Sequence, residues 1–175
     1  RFWYARYFQD TGVAELELER DLGRSLRSIY HWVSGDAPAG TFIKQFEHPK
    51  TSGLLDALPT PPAQLPAWLS QEDLSYYVEQ YEISGFRGPI NWYRNIPTNN
   101  DLTPELESKR FTQPAAFAAG ASDAGLDFDT NWRDNLSSAF DDLRFVEVVE
   151  DAGHWLQVEK PDETNALILR FLNGL

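Results

Sequence analysis

A histidine and an aspartate are the side chains in this sequence best suited to chemistry. His154 follows residues 143–149, a run of β-branched and aromatic residues typical of a buried strand, and precedes a helix opened by Pro161. Asp123 follows a second apolar segment, residues 113–120. Because parallel strands present their carboxyl ends at one edge of a sheet, we expect the two side chains to lie together. The carboxylate would then fix the imidazole tautomer, and the histidine could act as a base, as in the acid–base half of a hydrolytic triad.

Each residue also has a simpler interpretation. A single histidine can fill a hydrogen-bonding niche, here beside Trp155, and an aspartate in a loop often caps a turn or a helix. Asp127 and Asp129 are alternative carboxylates for orienting His154. The pairing of His154 with Asp123 is therefore a hypothesis about geometry.

Composition excludes several classes of function. The 175 residues are 42% hydrophobic, which is enough for a core, and the net charge of -12 argues against binding to nucleic acid or to an anionic membrane surface. There is no cysteine, and hence no disulfide and no thiolate metal site. No apolar run approaches the ~20 residues of a membrane span and no signal peptide is visible, so we expect a cytoplasmic protein.

The first part of the chain, residues 1–100, is predicted to be helical and rich in loops. From Val13 the sequence has the pattern of an amphipathic helix, which places Glu15 and Glu19 on the polar face of that helix. Residues 35–69 hold most of the prolines and are predicted to be irregular, with one short turn at residues 54–58.

Local signals predict two further helices in this part. Ser70 and Asp73 form a capping-box pattern, and Gly85 marks the end of the helix that they begin. Pro89 stands in the first turn of a second, short helix, which we expect Pro97 to terminate.

The second part, residues 101–175, shows an α/β pattern. Two strands, at residues 113–120 and 143–149, are each followed by a loop and a helix, and the helix between them is predicted to cover residues 132–143. Two parallel strands cannot by themselves form a stable sheet that is covered on both faces. We therefore expect the remaining strands to come from another segment.

Three segments resemble one enzyme family. They are residues 4–15, with YARYFQ at their start; residues 85–95, GFRGPINWYRN; and residues 153–161, GHWLQVEKP. Together they resemble the cap domain plus C-terminal section of an α/β-hydrolase-fold epoxide hydrolase. The resemblance implies a partial α/β-hydrolase fold, with a helical cap (residues 1–100) followed by the last two strand–helix units of a mostly parallel sheet (residues 101–175).

The resemblance also assigns roles to residues. In that family an aspartate opens the epoxide to form an ester, and two cap tyrosines donate hydrogen bonds to the epoxide oxygen. These tyrosines match Tyr93 and Tyr4, with Tyr7 as the second choice for the latter. His154 matches the base that activates water to cleave the ester, and Asp123 matches its acid partner. Aromatic residues near these positions are expected to contact substrate: Phe2, Trp3, Phe8, Trp92 and Trp155.

The implied partners are a small hydrophobic epoxide and water, with no metal or organic cofactor. The sequence has no His-Gly-x-Pro oxyanion loop and no nucleophile elbow that bears an aspartate. We therefore expect the nucleophile to come from an N-terminal half of the same enzyme, either on the same polypeptide or on a cleaved chain.

Two other functions are compatible with the same residues. A dehalogenase-like α/β hydrolase would use the same histidine and aspartate on an ester intermediate, although the tyrosine pair argues against it. A cap-like binding module without catalysis would retain the fold and lack a nucleophile within reach.

Overall fold

A computed structural model describes all 175 residues and divides them into two compact units. The helical unit consists of Arg1–Trp32 and Ala37–Leu102. The sheet unit consists of Val33–Asp36 and Thr103–Leu175. The four residues Val33–Asp36 thus interrupt the helical unit in sequence and belong to the sheet unit.

The helical unit contains eight α-helices, one 3₁₀ turn at Gln45–Glu47 and no strand. The helices are α1 (Tyr4–Tyr7), α2 (Val13–Leu18), α3 (Leu22–Trp32), α4 (Thr41–Lys44), α5 (Leu54–Ala57), α6 (Gln71–Ser84), α7 (Arg87–Arg94) and α8 (Ile96–Leu102). The longest of them, α6, has 14 residues, and none of the chain's helices combines the length and apolar character needed to cross a membrane.

Apolar and aromatic side chains form the core of this unit. Phe2, Leu18, Leu54 and Ile90 are almost completely buried, and burial of such a side chain stabilises a fold by roughly 1.5–3 kcal/mol. These residues come from the segment before α1 and from α2, α5 and α7, so the short helices are stabilised mainly by packing against one another.

The predicted limits of α6 are confirmed. The Ser70 hydroxyl accepts a hydrogen bond from the Asp73 N–H at 3.1 Å, and Asp73 accepts one in return from the Ser70 N–H at 3.1 Å. Gly85 ends the helix in a backbone conformation with φ of 63°, which suits glycine.

Other predictions for this unit need correction. The Pro-rich region 35–69 contains the expected turn at α5, but it also forms α4 and the 3₁₀ turn, because Phe42 and Gln45 are buried there and anchor it. Pro97 does not terminate a helix: it lies at the second position of α8, where its missing N–H would have no helical partner in any case.

The sheet unit contains two parallel strands and three α-helices. The elements are a 3₁₀ turn (Pro104–Leu106), β1 (Phe111–Gly120), a 3₁₀ turn (Ala124–Asp127), α9 (Trp132–Ala139), β2 (Phe140–Val149), α10 (Leu156–Glu159) and α11 (Pro161–Leu172). Near the carboxyl ends the register pairs Phe117 with Val146 and Gly120 with Val149. The loops that follow the two strands therefore start side by side.

The predicted boundary between α9 and β2 is wrong by several residues. The helix ends at Ala139 and the strand already begins at Phe140, which pairs with Phe111. The two phenylalanine rings stack with centroids 5.2 Å apart, and the Arg110 guanidinium donates a hydrogen bond to the Phe140 carbonyl at 3.0 Å. These contacts between strands outweigh the helical spacing on which the boundary was predicted.

Within this chain the sheet has only its two strands, and much of it remains accessible to solvent. Most of β1 is exposed until the strand reaches its last two residues, which are buried, and most of β2 is partly exposed. Each strand has one edge that pairs with no other strand of the chain.

Candidate active site

The loop after β1 holds Asp123 in place. Its backbone N–H donates to the Gly120 carbonyl at 3.0 Å, and the neighbouring Ser122 N–H donates to the Ala152 carbonyl at 2.9 Å, which joins this loop to the one after β2. The Asp123 Oδ1 atom accepts a hydrogen bond from the Gly125 N–H at 2.8 Å. Asp123 is therefore the capping residue that its simpler interpretation predicted.

The loop after β2 presents His154. Its backbone N–H donates to the Val33 carbonyl at 2.8 Å, which ties the loop to the Val33–Asp36 segment. Packing is so close that a Cβ atom on Gly153 would lie 2.5 Å from the Val33 carbonyl oxygen. Asp151, two residues before Gly153, is the only non-glycine residue of the chain with a positive φ, 54°.

The side chains of His154 and Asp123 are hydrogen-bonded. The imidazole Nδ1 lies 3.2 Å from both carboxylate oxygens, although the residues are 31 positions apart in sequence. A proton on Nδ1 shared with the carboxylate leaves Nε2 free to accept one, which is the tautomer a general base requires. Asp123 thus caps its turn and also contacts the histidine.

Electrostatics favour the charged forms of both partners. The hydrogen bond to Asp123 raises the pKa of His154; burial opposes this, and the charges of Asp123 and Glu159 add to it. For Asp123, partial burial alone would raise the pKa, but the hydrogen bonds from His154 and the Gly125 N–H lower it overall. The His154 side chain is 55% exposed in this chain and that of Asp123 is 18% exposed.

An open apolar depression of about 500 Å³ lies beside Asp123 in the sheet unit. Its apolar lining includes Phe117 of β1, Leu126, and Trp132 and Leu136 of α9, with Asp123 at its wall. The carboxylate that contacts His154 therefore borders a surface able to receive an apolar segment or ligand.

In the helical unit, Tyr4 and Tyr93 are in contact. Their ring centroids are 5.5 Å apart and the rings are nearly perpendicular, at 83°. Burial raises the pKa of Tyr4 to about 12, to which the charge of Tyr93 and a hydrogen bond between the two side chains also contribute. At neutral pH Tyr4 is therefore protonated and able to donate a hydrogen bond.

Tyr7, the competing candidate, is engaged elsewhere. Its hydroxyl donates to the Glu17 carboxylate at 2.7 Å, and burial followed by this hydrogen bond raises its pKa above the usual range. Glu17 also accepts hydrogen bonds from the Leu54 N–H at 2.8 Å and the Leu55 N–H at 3.2 Å, so it caps α5. The Tyr7 hydroxyl is thus bound to Glu17, whereas the Tyr4 ring is the one in contact with Tyr93.

The five predicted aromatic contact residues lie in different environments. Phe2 and Phe8 are buried, Trp3 stacks on Phe46 with centroids 5.4 Å apart, and Trp92 is 78% exposed. Trp155 packs edge-on against the His154 ring at 5.1 Å. Phe8 also packs against Tyr93 at 5.0 Å, so it contacts one member of the tyrosine pair.

An ion pair that the sequence interpretation missed connects α7 to α2 and to the segment between α1 and α2. Arg94 donates to both carboxylate oxygens of Glu15, at 2.6 and 3.0 Å, and to the Phe8 carbonyl at 2.8 Å. Glu15 is 9% exposed, so its assignment to the polar face was wrong. Arg94 directly follows Tyr93 in sequence, so the pair fixes the end of the helix that carries this tyrosine.

Three alternate glutamates on and just after α2 serve different parts of the helical unit. Glu15 binds Arg94, Glu17 binds Tyr7 and the start of α5, and the Glu19 carboxylate accepts a hydrogen bond from the Phe86 N–H at 2.7 Å. A sequence signal for this existed: alternate glutamates cannot all lie on one face of a helix, so an exposed polar face does not account for all three.

Parallel strands that carry a carboxylate and a histidine at their carboxyl ends, in a chain with a separate helical unit, define a partial α/β-hydrolase fold. Comparison with known proteins shows which family the chain resembles. Over 99% of its length the chain is 38% identical to epoxide hydrolase A of Mycobacterium tuberculosis, of which it covers 53%. The predicted resemblance to the α/β-hydrolase-fold epoxide hydrolases is therefore confirmed.

Other relatives agree. The chain is 33% identical to the bifunctional epoxide hydrolase 2 of Rattus norvegicus, with 98% of this chain and 29% of the relative aligned. The solved structure of an epoxide hydrolase from an endophytic Streptomyces superimposes with a TM-score of 0.91 at 35% identity, covering 98% of this chain and 52% of that one. No family model matches the chain. The chain thus spans about half the length of M. tuberculosis epoxide hydrolase A and of the Streptomyces enzyme.

Proposed function

We propose that this chain is the C-terminal section of an epoxide hydrolase and supplies the acids and the base of the reaction, while an N-terminal section supplies the nucleophile. The observation that carries the proposal is the contact between two phenols, Tyr4 and Tyr93, in a chain that also holds a hydrogen-bonded His154–Asp123 pair. Epoxide opening needs hydrogen-bond donors to the epoxide oxygen, and ester hydrolysis needs a base that activates water.

The first step forms an ester. A carboxylate oxygen of the nucleophilic aspartate bonds to an epoxide carbon, the C–O bond of the ring breaks, and its electrons move to the epoxide oxygen. Tyr4 and Tyr93 donate hydrogen bonds to this oxygen, and one of them transfers its proton. Donors aimed at a developing oxyanion are among the strongest sources of rate enhancement in enzymes.

The second step hydrolyses the ester. His154 Nε2 removes a proton from water, and the hydroxide bonds to the ester carbonyl carbon. The acyl C–O bond of the ester then breaks, and the alcohol leaves as a vicinal diol. The protons held by the imidazolium and by the regenerated carboxylic acid pass to the leaving oxygen and to the tyrosinate, so that every group returns to its starting protonation state. Asp123 supports this step by holding the tautomer and stabilising the imidazolium, in agreement with the pKa of His154 being raised. The net reaction is epoxide plus water to diol.

The direct test compares substrates on the complete enzyme. We expect turnover of racemic styrene oxide and none of a haloalkane of similar size. The His154→Gln variant should form the ester and fail to cleave it, so that intact-protein mass spectrometry shows the mass of enzyme plus epoxide. Turnover of the haloalkane alone would instead favour a dehalogenase, and the absence of any adduct in His154→Gln would count against the ester mechanism.

We further propose that these 175 residues depend on the N-terminal section for folding as well as for chemistry. The open strand edges and the apolar depression beside Asp123 support this, since uncovered apolar side chains forgo about 1.5–3 kcal/mol each. Residues 1–175 expressed alone should show neither a cooperative thermal transition nor epoxide turnover. A cooperative transition of a monomer would refute the dependence in folding, and turnover would mean that the chain contains its own nucleophile.

A further inference from the structure

The carboxylate of Glu159, at the end of α10, accepts three hydrogen bonds from backbone N–H groups. Its Oε2 atom accepts from Gly35 at 2.8 Å and from Gly153 at 2.9 Å, and its Oε1 atom accepts from Trp155 at 3.0 Å. Hydrogen bonds to an ionised acceptor are stronger than those between neutral groups. Both oxygens of this side chain are thus committed to the main chain of the sheet unit.

The three donors surround the histidine. Gly153 and Trp155 are its two neighbours in sequence, and Gly35 lies on the same segment as Val33, whose carbonyl accepts the His154 N–H at 2.8 Å. The backbone is therefore fixed before, at and after His154. Rotation of this short segment would move the imidazole away from Asp123.

The approach of the two segments requires glycine on each side. A Cβ atom on Gly35 would lie 2.9 Å from the Glu159 Oε2 atom, and one on Gly153 would lie 2.5 Å from the Gly35 nitrogen. Both distances are shorter than ordinary contacts, so the glycine at position 35 leaves room for the carboxylate and the glycine at position 153 lets the two backbone segments approach.

We infer that Glu159 is a positioning residue for His154: its carboxylate ties the histidine loop to the Val33–Asp36 segment and so aims the imidazole at Asp123 and at the ester. This inference rests on the proposed function of His154 as the base of ester hydrolysis. Glu159 touches the backbone and not the reacting atoms.

Glu159 also acts on the imidazole through its charge. The groups that raise the pKa of His154 are Asp123, first through its hydrogen bond and then through its charge, and Glu159 through its charge alone. Neutralising Glu159 should therefore lower the pKa of His154 and move the acid limb of the pH profile of ester hydrolysis to lower pH. A residue that only stabilised the fold would leave this limb in place.

The experiment uses three variants of the complete enzyme. Glu159→Gln removes the charge and places an amide donor against backbone donors, Glu159→Asp keeps the charge but is shorter by one methylene, and Glu163→Gln is the matched control. Glu163 is an exposed glutamate in the first turn of α11, and its removal changes the net charge by the same amount. The readouts are the NMR titration of the His154 imidazole and single-turnover rates of ester formation and ester hydrolysis.

For Glu159→Gln we expect a lower pKa of His154, ester hydrolysis slowed roughly 10- to 100-fold, as for a misplaced catalytic group, and ester formation changed by less than about 2-fold. Glu159→Asp should keep more of the raised pKa of His154 and still slow hydrolysis. The control should match the unmodified enzyme in every readout.

Equal slowing of both half-reactions with an unchanged pKa of His154 would overturn the inference, because it would indicate a general loss of structure. So would an unchanged rate of hydrolysis. If Glu159→Gln does not fold, Glu159→Asp decides by the same comparison of the two half-reactions. If the unmodified enzyme forms no ester, the proposed function fails, whereas the titration still tests whether Glu159 acts on His154.

Discussion

The helical and sheet units position their candidate catalytic side chains with carboxylates that have different partners. In the helical unit, Glu15 pairs with the Arg94 guanidinium, and each side chain is only 12% exposed. In the sheet unit, Glu159 accepts hydrogen bonds from three backbone N–H groups around His154, whose side chain is 55% exposed.

This difference separates two ways of building a site. The rings of Tyr4 on α1 and Tyr93 on α7 are in contact, and a buried ion pair joins α7 to α2, so the surroundings of both tyrosines come largely from within the helical unit. The histidine and aspartate lie on loops whose backbone is well fixed but whose sheet is open at both edges. We therefore expect substitutions at the ion pair of the helical unit to change stability, and substitutions at His154 or Asp123 to change the rate of ester hydrolysis.

The largest effect should come from Asp123→Asn in the complete enzyme. An asparagine amide would donate to Nδ1, place the proton on Nε2 and so leave no base, which should slow ester hydrolysis roughly 10³- to 10⁴-fold. Rapid-quench mass spectrometry would then show the ester accumulating. Asp129→Asn is the control, because this side chain accepts hydrogen bonds from the Asn131 N–H and from the Asn135 amide on α9, whereas the Asp123 carboxylate contacts His154. Unchanged turnover in Asp123→Ala would instead point to Asp127 or Asp129.

Replacing Tyr4 or Tyr93 with phenylalanine should slow ester formation by about 10- to 1000-fold each, as for a lost oxyanion donor, and the double variant should be nearly inactive. Ester hydrolysis should change less, because the tyrosines act on the epoxide oxygen. Tyr7→Phe should lower stability through the lost bond to Glu17 without this loss of rate. If Tyr7→Phe abolished ester formation while Tyr4→Phe left its rate normal, Tyr7 would replace Tyr4 as the hydrogen-bond donor. Tyr76→Phe, at a 57% exposed position, serves as the control.

Arg94→Met tests the buried ion pair. It leaves the Glu15 carboxylate buried without its cation, which should lower the free energy of unfolding by about 3–5 kcal/mol, measured by denaturant unfolding of the complete enzyme. Arg87→Met, at an exposed position on the same helix, should have little effect. A loss below about 1 kcal/mol would mean that water screens the pair as it does at a surface.

The smallest effect is a dependence of stability on pH. The hydrogen bond from Arg94 is the main cause that lowers the pKa of Glu15 from 4.5 to about 2. A lowered pKa in the folded state stabilises above the unfolded value, so this contribution should be complete above pH 4.5 and disappear as the pH falls toward 2. The melting temperature should therefore fall more steeply over this range in the unmodified enzyme than in Glu15→Gln. Parallel curves would contradict the prediction.

The sequence predicts well those features that depend on short-range patterns. The β-branched run of β2, the capping box at Ser70 and the glycine at the end of α6 all follow from local chemistry, and the end-of-strand rule alone brings Asp123 and His154 together. The start of β2 at Phe140 is not readable, because residues 140–143 fit a helical spacing as well as a strand, and only the pairing with β1 decides between them.

Contacts between distant segments are also hidden from sequence. Nothing near Gly35 indicates that its N–H binds a glutamate 124 residues away, and Glu15 looks like a surface residue until Arg94 is seen beside it. The alternation of Glu15, Glu17 and Glu19 indicates that they cannot all lie on one exposed face, but it does not indicate which of them is buried or which donors they bind.

The close approach of Gly120 and Gly153 to neighbouring carbonyl groups has a consequence for engineering this protein. Any Cβ atom at Gly120 would collide with the backbone at Ala152, and one at Gly153 would collide with Val33, so even alanine should be rejected at both positions. A saturation library aimed at new substrates would thus yield mostly inactive clones at these two sites. The exposed Trp92, beside Tyr93 in sequence, is a better position for such a library, because its side chain is not confined by neighbours in this chain.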